Sequence, residues 1–490
     1  MKGGSESVSR GTGFALGAQL TGAALTAVLF IYLGRALSPE DYGNFAFALS
    51  VALVATLLSD LGVSASAARF IAERRGDLPG SSAVLRSALR IKLALGAATA
   101  LGLVALAHPI CSVLGSPGAT APLRWVAISL IGQSLFLLLF AAFEAVGRLK
   151  LRLVAATVES VTEVSASVAL VALGAGATGA GLGRAVGYAV GGVVGLVLAF
   201  RIFDRRSSTA PRFRARTLMA YAGPLLLVDA AFRVFSSLDV LLISAVLGGG
   251  AQVAAFELPL RLAAFLDYPA AALSSAVAPR LARGGAGPDL GAFQKAMRVA
   301  IILQCATVPF LLAWSEAIVH LLFGDRYPEA SGVLRAFTPY VLLAGVAQLV
   351  TVGVNYLGLA WRRVPFAVAM LVVNVIVSLT LLPRIGIVAG AIGTSAAYLV
   401  WVPAHVYLLR IHAGLPLGAI ARTTLRALIA AAATTAVLLA FGTGELGPVR
   451  MVLGGAVALA AYVVTLVVVR EVRRGELATA ARAVRSALPG

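Results

Sequence analysis

Fourteen runs of about twenty apolar residues follow one another along this chain of 490 residues. They lie near 12–34, 43–63, 89–109, 122–143, 153–174, 180–202, 218–247, 251–279, 297–319, 333–357, 365–383, 387–410, 422–441 and 449–470. A helix needs about twenty such residues to cross the hydrocarbon layer, and in lipid every backbone N–H and C=O must be satisfied within the segment. The runs are continuous rather than alternating, which sets aside a barrel of ten-residue strands. The expected fold class is an all-α integral membrane protein with about 14 transmembrane helices. Charge agrees: 12% of residues are charged, against about 25% in a soluble domain. The first run is longer than the apolar core of a secretion signal and reads as a retained helix.

The net charge is +19. In a soluble protein that would suggest nucleic acid, but no basic run here is interleaved with the aromatic residues that stack on bases. The charge sits in short loops instead, as the positive-inside rule requires. An even number of spans puts both termini on one side. That side carries 31 Lys and Arg, and the other carries seven: Arg35, Arg124, Arg184, Arg326, Arg335, Arg384 and Arg450. This asymmetry places both ends in the cytoplasm. Two arginines, Arg233 and Arg261, belong to no loop.

Two cysteines and four scattered histidines supply no disulfide framework and no zinc spacing. There is no phosphate-binding loop, no HExxH and no GxSxG. No loop is long enough to fold as a catalytic domain. The expectation is a non-enzyme without cofactor or metal. A weak internal repeat relates Asn44–Gly76 to Ala254–Gly285, about 210 residues apart. It divides the chain into a six-helix bundle over 1–206, a second over 217–411, two further helices over 422–470 and a basic cytoplasmic tail over 471–490. Transporters are often built from such repeats.

The stretch "LLLVDAAFRVFSSLDVLLI" (Leu225–Ile243) carries Arg233 in the middle of a span. Arg233 lies fourteen residues before Leu247, and Arg261 fourteen after it. At about 1.5 Å per residue both are roughly 20 Å from the intervening turn, near mid-depth. Each has an acid four residues earlier, Asp229 and Glu257, the favourable order for an ion pair on one helix face. Two readings stay open. The four charges are self-neutralised pairs facing the bundle interior, or the guanidinium groups face a water-filled cavity and bind an anion bidentately, as they bind phosphate. Pro259 permits a kink within the second pair. Glu163, Asp229 and Glu257 are candidates for carrying a coupling proton or sodium ion, or for simple charge pairing. Asp239 and Asp267 also lie in spans 7 and 8, whereas Asp60 and Glu144 read as interfacial.

Two segments carry a family likeness. Tyr32–Glu73 holds Leu33–Gly34–Arg35, Pro39, Tyr42–Gly43, Asp60–Leu61–Gly62 and Arg69–Phe70, and Ser236–Ala282 holds Arg261–Ala263 and Pro279–Ala282. Together they resemble the polysaccharide exporters, which include the O-antigen-unit flippases and are related to the multidrug and toxin extrusion transporters. Phe256–Glu257 departs from the family's usual tyrosine and small residue. The resemblance implies two six-helix bundles plus two helices in a bacterial plasma (inner) membrane. It also implies movement of a polyprenyl-pyrophosphate-linked oligosaccharide from the cytoplasmic to the outer leaflet by alternating access, beside a polysaccharide polymerase or glycosyltransferases. In that setting Arg233 and Arg261 would hold the pyrophosphate. The competing expectations are a cation-coupled exporter of drugs or organic cations, whose site should be acidic, and a non-transporting scaffold for glycan enzymes, which needs no mid-depth arginine.

Overall fold

A computed structural model describes residues 22–74, 76–203, 213–271, 273–274, 289–444, 446–473 and 475, with the side chains of 220–229 and 360 excepted. Seventeen helices organise the described chain. They are α1 (Gly22–Ala36), α2 (Pro39–Asp60), α3 (Val63–Glu73), α4 (Leu78–Val113), α5 (Thr120–Ala145), α6 (Leu149–Ala172), α7 (Gly176–Phe200), α8 (Ala215–Leu247) and α9 (Ala251–Phe265). They continue with α10 (Leu290–Ala313), α11 (Ser315–Phe323), α12 (Ala330–Ala336), α13 (Thr338–Tyr356), α14 (Val364–Ile385), α15 (Val388–Ala413), α16 (Leu417–Phe441) and α17 (Pro448–Val468). Among the described residues twelve helices are long and apolar enough to cross a membrane. The first and eighth expected spans run into residues outside the described set; α1 and α9 are the described parts of them. The chain is thus a multi-pass all-α membrane protein. Its outward faces are apolar, with Leu101 70% and Leu173 84% exposed. That exposure suits a lipid solvent.

Chain contacts divide the protein into two compact units, Met1–Glu257 with Ser378–Gly390, and Leu258–Val377 with Ala391–Gly490. In the first unit, local chemistry explains the helix ends. Ser38 caps α2 by accepting from the Asp41 N–H at 3.1 Å, and Pro39 opens the helix. Leu61 at φ 42 and Gly62 at φ 75 turn the chain out of α2, so the Asp–Leu–Gly signature is a left-handed helix stop. Packing in this unit relies on small residues. A Cβ at Gly43 would lie 1.8 Å from the Gly250 carbonyl, so α2 runs against the turn between α8 and α9. The Ser116 and Ser244 hydroxyls meet at 2.8 Å, and the Gly249 N–H donates to the Gly115 carbonyl at 2.8 Å, which ties the end of α8 to the turn before α5. Along α7, a Cβ at Gly183, Gly187 or Gly191 would come within 2.2 to 2.6 Å of α6 atoms. The two helices therefore touch nearly backbone to backbone.

In the second unit Asp289 caps α10, accepting from the Ala292 N–H at 3.0 Å. The two last helices pack on α10 through Trp314, Leu438 and Ala458. The Trp314 indole donates to the Gly442 carbonyl at 3.0 Å. After α17 the chain turns at Arg470, φ 57. Glu471 then accepts from Arg298 at 2.8 Å, Thr423 at 2.8 Å and Arg426 at 3.2 Å. The tail expected over 471–490 lies almost wholly outside the described residues.

Candidate functional site

The first unit carries a charged cluster built by α2, α3, α4 and α8. Lys92 sits fourteen residues into α4, about 21 Å from its start. Its side chain is fully buried and its ammonium lies 2.5 Å from the Asp60 carboxylate at the end of α2. Asp60 also accepts from the Ser64 hydroxyl at 2.6 Å and the Ser64 N–H at 3.3 Å, so the stop of α2 and the start of α3 together satisfy it. The Ser134 hydroxyl of α5 donates to the carbonyls of Ser59 and Lys92. Arg233, half-buried in α8, donates from Nη1 to the Thr56 hydroxyl at 2.7 Å, one turn before Asp60. Arg233 and Lys92 are close enough to repel each other. A buried charge needs both a counter-charge and hydrogen bonds. Lys92 and Asp60 meet that need mutually, and Arg233 is added beside them.

A second cluster joins α6 and α7. Arg184 donates from Nη1 to Glu163 at 3.0 Å, and its guanidinium lies 4.8 Å from the Tyr188 ring centre. Glu159, 6% exposed, lies one turn from Glu163 on α6 and accepts from the Ser160 hydroxyl at 3.0 Å. Arg184 was expected in a loop on the outer side. It lies eight residues inside α7 instead, because glycines 174 and 176, with φ 87 and 54, make the turn earlier than the apolar pattern suggests. Asp60, expected at an interface, is the partner of a buried lysine. Asp239 of α8 accepts from Ser378 at 3.1 Å.

The five sequence candidates do not form one cluster within either unit. Arg233 joins Thr56 and Lys92, and Glu163 joins Arg184. Glu257 is buried at 5% exposure in the first unit, and Arg261 is half-buried in the second. The Asp229 side chain lies outside the described residues. Sequence reading missed Lys92, although the third expected span opens at 89 and so contains it.

In the second unit α9 breaks at Leu266–Asp267 and the helix resumes at Tyr268. Pro269 explains the break, since it has no N–H to give to the Phe265 carbonyl. The Tyr340 hydroxyl of α13 donates to Asp267 Oδ2 at 3.0 Å, and Gln304 of α10 donates to the Leu266 carbonyl at 3.3 Å. Beside this break lies a cavity of about 460 Å³, lined by Leu262, Phe265, Leu303, Gln304, Phe310 and Leu459 among others. It is almost entirely apolar. Among the described residues no three His, Cys, Asp or Glu gather to hold a metal ion.

Comparison with known proteins fits this architecture. The family described as polysaccharide biosynthesis protein matches residues 8–284. The uncharacterized membrane protein MJ1375 of Methanocaldococcus jannaschii is 23% identical over 388 residues, covering 75% of this chain and 90% of that protein. The solved structure of the lipid II flippase MurJ in an inward closed conformation superposes with a TM-score of 0.75 at 13% identity, covering 93% of this chain and 98% of the other. The MATE multidrug transporter DinF-BH superposes at 0.65 with 17% identity, covering 85% and 97%. An inward-facing multidrug resistance MATE family transporter of the MOP superfamily gives 0.63 at 16% identity, covering 80% and 95%. These likenesses show a shared fold.

Proposed function

Because this chain belongs to the polysaccharide biosynthesis protein family, we propose that it is a flippase. It carries a polyprenyl-pyrophosphate-linked oligosaccharide from the cytoplasmic to the outer leaflet of the plasma membrane by alternating access. Both termini are cytoplasmic, as the loop charges support. The observation that carries the reading is the cluster of Arg233, Lys92, Asp60 and Thr56 in the first unit. It sets the Arg233 guanidinium and the Thr56 hydroxyl beside the Lys92–Asp60 ion pair, in a segment that spans lipid. Intramembrane charge is costly enough that such a cluster marks a functional site. A guanidinium is the side chain best shaped for a pyrophosphate, since its fork donates two parallel hydrogen bonds to one phosphoryl group. Thr56 orients that fork from one side. The apolar cavity of the second unit is suited to an acyl or prenyl chain, with Gln304 as its chief polar wall. Arg261, in the second unit, stays a separate candidate for contact with the pyrophosphate.

The test is binding of a polyprenyl-pyrophosphate oligosaccharide to purified protein in detergent. Arg233→Gln and Arg261→Gln should each weaken binding by roughly tenfold or more, since one charged hydrogen bond contributes about 1.5–3 kcal/mol. Wild-type protein that ignores this lipid and binds organic cations would turn the reading to the drug-exporter activity of the MATE fold.

A further inference from the structure

The break in α9 puts a carboxylate where no basic partner meets it among the described residues. Asp267 Oδ2 receives the Tyr340 hydroxyl. Its other oxygen, Oδ1, is buried and has no hydrogen-bond partner among the described residues. Gln304 lies beside it on α10, 2% exposed, with its Nε2 engaged by the Leu266 carbonyl. The Gln304 Oε1 is likewise buried and without a partner among the described residues. Gly345 packs directly on the Gln304 amide and closes that side, since a Cβ there would lie 2.5 Å from Nε2. Two buried acceptors without a well-formed hydrogen bond are an expensive arrangement, the more so for a full charge, and the Gln304 amide that approaches Asp267 meets that need only in part. The groups that face Asp267 are Tyr340 from α13, Gln304 from α10 and, behind Tyr340, Tyr398 of α15 at 4.8 Å between ring centres. On its own chain segment Tyr268 follows it and Arg261 lies six residues earlier. None of its described partners is basic.

We infer that Asp267 is a proton-carrying carboxyl built into the broken eighth span. One proton bound at Oδ1 forms an O–H bond, cancels the charge and supplies the missing donor. Its release to water restores the carboxylate, and nothing is oxidised or reduced. A metal cation fits less well. Hard cations gather about six or more oxygens, whereas two side-chain acceptors stand unmet here among the described residues. Unwound segments between half-helices are where transporters place their coupling ions, and Pro269 builds such a segment. The role of this proton as a coupling ion rests on the transporter reading above; its presence on Asp267 does not.

The experiment is infrared difference spectroscopy on the full chain in nanodiscs, wild type against Asp267→Asn, in H2O and D2O. At about pH 6 a solvent-exposed aspartate is ionised. The expected difference there is a carboxylic C=O band that shifts in D2O and gives way to carboxylate bands as pH rises. Tyr340→Phe keeps the carboxyl and removes one donor, so the band's frequency should move. This second variant decides the matter even where Asp267→Asn does not fold. Carboxylate bands alone at pH 6, or no change of the band in Tyr340→Phe, overturn the assignment. So do bands that follow sodium concentration at fixed pH, which would make the break a sodium site. Glycan-lipid binding is measured separately, so either result can fail without the other.

Discussion

Replacing Lys92 by Met should be among the most destabilising single changes in the first unit. The ammonium is fully buried and lies 2.5 Å from the Asp60 carboxylate, whose side chain is 15% exposed. At an effective dielectric of about 20, two charges at that distance attract by on the order of 7 kcal/mol. Burying both ions costs several kcal/mol each, so most of that attraction is offset and the intact pair contributes little net stability. Removing one partner is different, because the remaining charge keeps its desolvation cost and loses its compensation. The usual loss is about 3–5 kcal/mol. Here the two bonds from Ser64 keep part of the Asp60 charge satisfied, which sets the expectation at the lower end, near 3 kcal/mol. Adding Asp60→Leu to Lys92→Met removes both charges and should recover most of that loss, to within about 1 kcal/mol of wild type. The assay is reversible unfolding in mixed micelles with a double-mutant cycle over the four proteins. A Lys92→Met variant within about 0.5 kcal/mol of wild type, or a double variant equal to the sum of the singles, would refute the reasoning.

Gly43→Ala drives a Cβ to 1.8 Å from the Gly250 carbonyl and should cost about 3 kcal/mol or more, whereas Gly102→Ala, with nothing within 4 Å, should be neutral or stabilising by up to about 1 kcal/mol; the same unfolding assay reads both. Gly191→Ala meets Glu159 Cβ at 2.6 Å and should cost about 1–3 kcal/mol, and a variant as stable as wild type would show that α6 and α7 are not in contact there. At the end of α17, burial pushes the Glu471 carboxyl up, but the bonds from Arg298, Thr423 and Arg426 outweigh it and hold the group below its ordinary value of 4.5. A lowered folded value means that this stability is fully present above the ordinary value and is lost as pH falls through the folded one. Wild type should therefore exceed Glu471→Gln in stability at neutral pH and lose that advantage below about pH 4, and thermal melts at several pH values check it.

The membrane-spanning character was legible because the bilayer demands long apolar runs, and most of the twelve long apolar helices lie within a few residues of an expected run; α4 opens at Leu78 rather than near 89, and the short α3, α11 and α12 were not read. The Asp60–Leu61–Gly62 signature was visible, but its physical role was not, since a helix stop and a carboxylate aimed at Lys92 are the same three residues. Lys92 was hidden by counting it with the cytoplasmic flank. Arg184 was hidden by glycines that both make a turn and continue a helix, so composition could not say where α7 begins. Glu163 could be flagged as an intramembrane acid, yet its partner lies 21 residues away across a hairpin and no spacing rule reaches it. The same limit hid Tyr340, which is 73 residues from Asp267. Arg233 stood out from sequence alone, because a charge in mid-span breaks an otherwise uniform pattern.

Seven buried glycines along α7 have a consequence that concerns the solvent rather than the fold. Each costs a helix in water about 1 kcal/mol relative to alanine, so a peptide of this sequence should be largely unstructured there. In hydrocarbon the unwound chain is not an accessible competitor, because its amides would go unbonded. The bilayer thus removes the penalty while leaving the advantage of close approach to α6. A helix of this composition belongs to lipid: circular dichroism of the isolated segment should show coil in buffer and helix in micelles.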